Sequence, residues 1–258
     1  MTAVESLRDV WYVFGRAQSK FFGSPVRIFF QLFGALMFLI LFTQLFSKLS
    51  NLPGFPAVGY LEIAVGGILF INTLNNTMQS ANAMVDELNT GYLANMLVTP
   101  VKRSAILLGR VLSDGVRFIL QTSVVLGIAV LLGATFATGV PGVLVIYLIV
   151  VGFGVAWSGL TLTVGLATKS NETVAVIGTL LTFPLMFTST ALLPVAYMPA
   201  WMQTVSRYNP ISYMANAARV LMVSGFDATV LIQAFAVIGL ILVLTWSSTL
   251  WLFQRVVS

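Results

Sequence analysis

Histidine and cysteine are both missing from this chain, and charge is scarce: 13 Lys plus Arg and 8 Asp plus Glu in 258 residues, or 8%. Without cysteine there are no disulfides, and nothing in the chain reports the redox state of its compartment. Without histidine there is no imidazole for zinc or haem and no base for the nucleophile of most hydrolases. Soluble domains carry about 25% charged residues. A chain so far below that, with 58% hydrophobic residues, cannot cover a water-facing surface and reads as an integral membrane protein.

Missing motifs extend the exclusions. No G-x-x-x-x-G-K-[ST] loop is present, so the chain does not hydrolyse ATP by that route, and no H-E-x-x-H occurs. No Asp or Glu falls in the middle of an expected span. That argues against an intramembrane protease and against an ion-coupled carrier, which keeps ionisable groups near the bilayer midplane. No metal, no cofactor of its own and no nucleic-acid partner is expected. The first 27 residues carry Arg8, Arg16, Lys20 and Arg27 but no apolar core, so no cleaved signal is visible and the first span is expected to be retained.

What is present is a series of apolar runs long enough to cross about 30 Å of hydrocarbon. Six spans are expected at residues 28–46, 60–85, 116–132, 143–167, 173–193 and 229–253, with a helix from Ile106 leading into the third. The fold class is therefore all-α, in a single transmembrane domain over 1–258. Before the first span, Ser6 to Phe22 sets Leu7, Val10, Trp11, Phe14 and Phe21 near one helical face and its charges near the other, as for a helix lying in the membrane interface. Gly152/Ala156 and Gly154/Ser158 are small residues four apart that permit close helix packing.

Two stretches interrupt the apolar pattern. Residues 194–221 contain Pro194, Pro199 and Pro210, which forbid one continuous helix. Their apolar content suits short, broken helices that re-enter the outer leaflet between spans five and six. The other is Asp86 to Arg117, which holds seven charged residues between two apolar runs. Its coupling part is expected at 86–105, with a short helix from Asp86 to Leu97 that Pro100 ends. A helix rooted in two spans can transmit the movement of a docked partner; a plain solvated loop is the competing reading.

Six spans put both termini on one side. That side holds Arg8, Arg16, Lys20, Arg27, Lys102, Arg103, Arg110, Arg117, Lys169 and Arg255, against Lys48, Arg207 and Arg219 on the other. The positive-inside rule then makes the termini cytoplasmic. Span two is polar for a helix in lipid: Asn72, Asn76, Gln79 and Asn82 form one face, with Asn75 alongside. Such a face is either hydrogen-bonding glue between helices, the commoner use, or the lining of a substrate path.

Two blocks carry a family resemblance. One is Glu87–Leu88–Asn89–Thr90–Gly91, Leu97–Val98–Thr99–Pro100–Val101–Lys102–Arg103 and Ile106–Leu107–Leu108–Gly109–Arg110. The other runs from Phe183–Pro184 through Phe187, Ser189 and Pro194 to Met198–Pro199–x–Trp201, Asn209–Pro210–Ile211–Ser212–Tyr213 and Arg219. Together they resemble the permease subunits of type-2 ATP-binding-cassette (ABC) exporters, especially the daunorubicin-resistance type. In Asn89–Thr90–Gly91 the family's usual Gly–Thr order is reversed.

The resemblance implies a dimer with a second permease, identical or paralogous, in the plasma (inner) membrane. Two copies of a cytoplasmic ABC ATPase subunit would bind ATP and Mg for it. It implies ATPase coupling through Glu87, Thr90, Gly91, Tyr92, Leu93, Leu97, Pro100 and Arg103. A substrate path would use Asn72, Asn76 and Gln79 of span two with Phe183, Phe187, Thr188 and Thr190 of span five. An extracellular gate would use Pro194, Met198, Pro199, Trp201, Asn209 and Pro210. The implied activity is multidrug or lipid efflux of amphipathic molecules. The alternatives are export of a polysaccharide or glycolipid, and a membrane scaffold that transports nothing.

Overall fold

The computed structural model describes residues 3–48, 59–92, 96 and 103–257, and among these there are helices and connections but no strand. In chain order the helices are α1 (Ala3–Phe22), α2 (Pro25–Leu45), α3 (Tyr60–Asn89), α4 (Arg103–Leu131), α5 (Gly139–Thr168), α6 (Asn171–Phe187), α7 (Ala200–Ser206), α8 (Pro210–Val223) and α9 (Ala228–Val257). A single 3-10 turn, Val195–Tyr197, precedes α7.

Four helices contain stretches long and apolar enough to cross a membrane: Ile28–Leu45, Ala105–Leu131, Gly139–Thr168 and Ala228–Phe253. These correspond to expected spans one, three, four and six. The third is longer than expected, because α4 runs unbroken from Arg103. Spans two and five fail the same criterion for different reasons. Helix α3 has 30 residues but carries the amide face, and α6 stops at Phe187 after 17 residues, three beyond its internal Pro184. At 1.5 Å per residue, 17 residues reach about 25 Å.

The most polar long helix is also the most enclosed. Helix α3 packs against α2, α4, α5, α6 and α8. Tyr60, Ile63, Ile68, Phe70 and Leu74 are buried along it, with Phe70 edge-on to Phe153 of α5 at 5.8 Å. This follows from the cost of bare amides in lipid: the helix that carries them has to be wrapped by protein. Outside it, Phe29 and Phe30 of α2, Leu144 and Leu148 of α5, and Leu240 and Leu244 of α9 remain exposed, an apolar coat suited to lipid.

Small residues set the closest approaches. On α5, a Cβ at Gly154 would meet the Phe118 ring of α4, and one at Gly159 would meet Thr245 of α9 at 2.6 Å. The closest approach to another segment's backbone lies at Gly67 of α3, where an added Cβ would overlap Ala191. Backbone gives way less readily than a side-chain tip, so overpacking there costs about 1–3 kcal/mol. Gly67→Ala is accordingly expected to lower the thermal aggregation temperature of the detergent-purified protein, whereas Gly127→Ala, whose Cβ would meet nothing within 4 Å, leaves it unchanged.

Helix α1 lies along α4, with Val13, Gln18 and Phe21 buried. A Cβ at Gly109 of α4 would sit 2.8 Å from Val13 Cβ, so the two helices touch nearly backbone to side chain. Leu7, Trp11 and Tyr12 stay exposed. The apolar face expected in one piece is thus split: Phe21 turns into the bundle, while Leu7 and Trp11 form an outer edge.

Candidate functional site

Three places bring together residues with chemistry beyond packing. The first is the charged end of the bundle. Helix α3 does not stop before Asp86 as the coupling-helix expectation requires; its last turn includes Asp86, Glu87 and Asn89. The break comes at Gly91, whose φ of +71° is left-handed backbone that glycine adopts without strain. The Gly91 N–H donates to the Leu88 carbonyl at 3.1 Å, and the Thr90 hydroxyl donates back to the Asp86 carbonyl at 2.7 Å.

Two carboxylates at a helix C-terminus oppose the helix dipole and need cations. Glu87 has them. Its carboxylate accepts from Arg16 of α1 and, at 3.1 Å, from Arg110 of α4, and Lys20 Nζ stands 4.0 Å away. Its side chain is 13% exposed, so it faces into the bundle. The Arg16 guanidinium also lies 3.9 Å from the ring centroid of Tyr92 and donates to Met96 Sδ at 3.2 Å. One arginine therefore ties α1 to the end of α3 and to the segment just beyond it.

Asp86 accepts from Asn171 of α6 at 2.6 Å, and Asn89 donates to the Lys169 carbonyl at 3.2 Å, which fastens the α5–α6 turn to the same place. Of the remaining coupling residues, Leu93, Leu97 and Pro100 lie outside the described residues, and Arg103 begins α4. Neither Arg16 nor Arg110 was identifiable in sequence as a partner of Glu87. They stand 71 and 23 residues from it, and no local pattern links them.

Directly inside this end sits a second charged knot. Asp114 of α4 is 3% exposed; it accepts from Ser80 of α3 and pairs with Arg117 at 3.2 Å. Arg117 lies over the Phe21 ring at 4.8 Å, and Gln18 donates to the Ser113 carbonyl at 3.3 Å. The expectation that every charge falls at a span end or outside is corrected here. Because α4 begins at Arg103, Asp114 lies within its apolar stretch, shielded by α1 and α3.

The third place is a groove of about 400 Å³ between α2, α3, α4 and α6. Expected path residues Asn72, Asn76, Gln79 and Phe183 line it, joined by Asn75 and by Gln31, Gln121 and Thr182 of the neighbouring helices. Apolar side chains complete the lining: Ala35, Phe38, Ile71 and Met186. The Nδ2 groups of Asn72 and Asn76 are buried without a partner among the described residues.

Other expected path residues lie elsewhere. Phe187 stacks on Phe183 at 6.1 Å, outside the groove. Thr188 accepts from Asn209 at 3.0 Å, and the Thr190 N–H donates to Ser212 at 3.1 Å. Both threonines fasten the end of α6 to α8, since the chain after Phe187 has carbonyls and amides to satisfy.

The Pro-interrupted segment follows from its own punctuation. Pro194 precedes the 3-10 turn, Pro199 caps α7, and Asn209 caps α8 with Pro210 in its first turn. Asn209 also donates to the Leu185 carbonyl at 2.7 Å, so one side chain both starts α8 and closes α6. Met198 is buried while Trp201 is 61% exposed. Arg219 donates to the Thr190 carbonyl at 2.7 Å, and Tyr60 of α3 to that of Leu192 at 3.0 Å. Among the described residues no group of three His, Cys, Asp or Glu could hold a metal.

Residues 8–223 match the family described as ABC-2 type transporter. Over 224 residues, 86% of this chain and 76% of the relative, the chain is 28% identical to the daunorubicin resistance ABC transporter permease protein DrrB1 of Streptomyces coeruleorubidus. It is 29% identical over 205 residues, 76% of this chain and 68% of the relative, to the putative transport permease ycf38 of Cyanophora paradoxa. It is 34% identical over 137 residues, 53% of this chain and 49% of the relative, to the probable doxorubicin resistance ABC transporter permease protein DrrC of Mycobacterium tuberculosis.

Proposed function

This chain belongs to the ABC-2 type transporter family and is the membrane subunit of an ABC exporter, and from that premise we propose that it moves amphipathic drugs or lipids out of the cell. The observation that carries this reading is the groove beside α3, lined by amides together with aromatic and aliphatic side chains. Its volume of about 400 Å³ suits one drug-sized or lipid-headgroup-sized molecule rather than the bore a polysaccharide needs. A scaffold that transports nothing has no use for buried amides left without partners.

Family membership implies an ATPase partner. We place two copies of it on a dimer of permeases, identical or paralogous, with ATP and Mg held by the ATPase. Six spans are counted by adding α3 and α6 to the four apolar helices, since α3 is enclosed by protein and α6 is apolar though short. Ten Lys and Arg on the termini's side against three on the other then set both termini in the cytoplasm of a plasma-membrane protein. The outer edge of α1 lies in the interface, and the segment around η-turn Val195–Tyr197, α7 and α8 re-enters from outside as the gate.

In the coupling region, Tyr92, 40% exposed, is the contact offered to the ATPase, with Thr90, Gly91, Leu93, Leu97, Pro100 and Arg103 around it. Glu87 positions this surface through Arg16 instead of touching the partner itself. Co-expression with its cognate ABC ATPase subunit tests the reading. A stable complex whose ATP hydrolysis requires the permease is expected; recovery of the permease alone would favour the scaffold.

A further inference from the structure

The groove has a polarity of its own. Among the described residues no carboxylate lines it, and its amides at Asn72 and Asn76 hold buried Nδ2 donors with nothing to donate to. Asn76 is 6% exposed. Orphaned donors in a low-dielectric site favour a ligand that brings acceptors, because leaving them unmet costs more than any single contact returns.

At its charged end the groove continues into a smaller space of about 40 Å³, which shares Gln31, Asn76 and Gln79 and adds Lys20 and Arg117. That volume accommodates a compact group and not a chain. The surrounding charges are unbalanced. Arg16, Lys20 and Arg110 gather on Glu87, and Arg117 pairs with Asp114, which makes four cations to two carboxylates. Lys20 is the loosest member, 4.0 Å from Glu87 and with a side chain 55% exposed. It can turn to an anion without breaking a short ion pair.

Resting on the reading of this groove as the substrate path, we infer that it takes an amphiphile with an anionic, acceptor-rich headgroup of the phosphate-and-hydroxyl kind, and discriminates against ammonium-bearing amphiphiles. The anion sits by Lys20 and Arg117. Hydroxyl and ester oxygens of the headgroup accept from Asn72 and Asn76. The acyl chain lies along Phe38 and Phe183, whose helices α2 and α6 carry exposed apolar faces. An ammonium would find Lys20 and Arg117 beside it, and among the described residues no carboxylate lines either space.

The test is displacement of fluorescent lysophosphatidylglycerol from the permease–ATPase complex in phosphatidylcholine nanodiscs. Competitors are unlabelled lysophosphatidylglycerol, an alkyl maltoside, an alkyltrimethylammonium of equal chain length, and inorganic phosphate. Unlabelled lysophosphatidylglycerol is expected to compete at least about tenfold better than the ammonium, with the maltoside between them, a difference of about 1.4 kcal/mol. Lys20→Gln should bring lysophosphatidylglycerol down to the level of the maltoside. Asn76→Leu should weaken both, and Gln79→Leu, at an exposed position that does not put folding at risk, should do so in part. An ammonium that competes as well as the anion overturns the inference, as does absence of specific lysophosphatidylglycerol binding. Inorganic phosphate competing as well as the lipid replaces the amphiphile with a soluble anion and overturns it too. The ranking needs no ATP, so failure of ATP-driven export would count against the transport reading and leave the ranking intact.

Discussion

Replacing Glu87 by lysine is expected to abolish ATP-driven export while the protein still inserts in the membrane. The substitution puts a fourth cation among Arg16, Lys20 and Arg110, where one carboxylate had held all three. Partly buried like charges repel by several kcal/mol at the effective dielectric of such sites. Arg16 is the side chain that would move away, and with it goes its hold on Tyr92 and Met96. The coupling surface would then no longer be fixed to α1 or to the end of α3. The measurement is export from proteoliposomes containing the ATPase subunit, alongside the amount of inserted permease. The charge-swapped pair Glu87→Arg with Arg16→Glu should recover part of the export. Gly91→Pro should match the loss by another route, since a φ of +71° is closed to the proline ring. Full export in Glu87→Lys and Gly91→Pro would remove the coupling role from this end of α3.

The sequence was most readable where one residue type decides the local backbone. Pro194, Pro199 and Pro210 forbid one continuous helix, and the segment is divided into a 3-10 turn, α7 and α8. Long uncharged runs announced α2, α5 and α9 to within a few residues. The amide face of span two was visible from its spacing, but whether it bridged helices or lined a groove depended on what stood opposite. That included Gln31 and Gln121, on helices distant in sequence. The cluster on Glu87 was hidden for the same reason, because ion pairs across 71 residues leave no period to find. Thr188 and Thr190 were expected within span five, as the resemblance implied. Pro184 and the early stop of α6 convert them into fasteners for α8.

Asp114 is the position where the difference between sequence and structure has the largest energetic consequence. Counted as a loop charge, it could be exchanged at little cost, since exposed pairs contribute about 0–1 kcal/mol. Its side chain is instead 5% exposed and paired with an 18% exposed Arg117, with Ser80 donating to it from α3. Removing one partner of a buried pair leaves the other charge uncompensated and costs about 3–5 kcal/mol, whereas removing both in favour of apolar groups is often neutral. Asp114→Ala is therefore expected to strip most folded protein from the membrane or to lower its thermal midpoint sharply. Asp114→Ala combined with Arg117→Leu should recover most of that loss. The comparison is thermal unfolding of the two variants and Arg117→Leu alone in the same detergent. If the double variant is no better than Asp114→Ala, the carboxylate matters through Ser80 and the α3–α4 contact, and charge compensation is not its task. If Asp114→Ala is as stable as the parent, α1 does not shield this pair, and the packing of α1 on α4 through Val13 and Gly109 is the contact to re-examine.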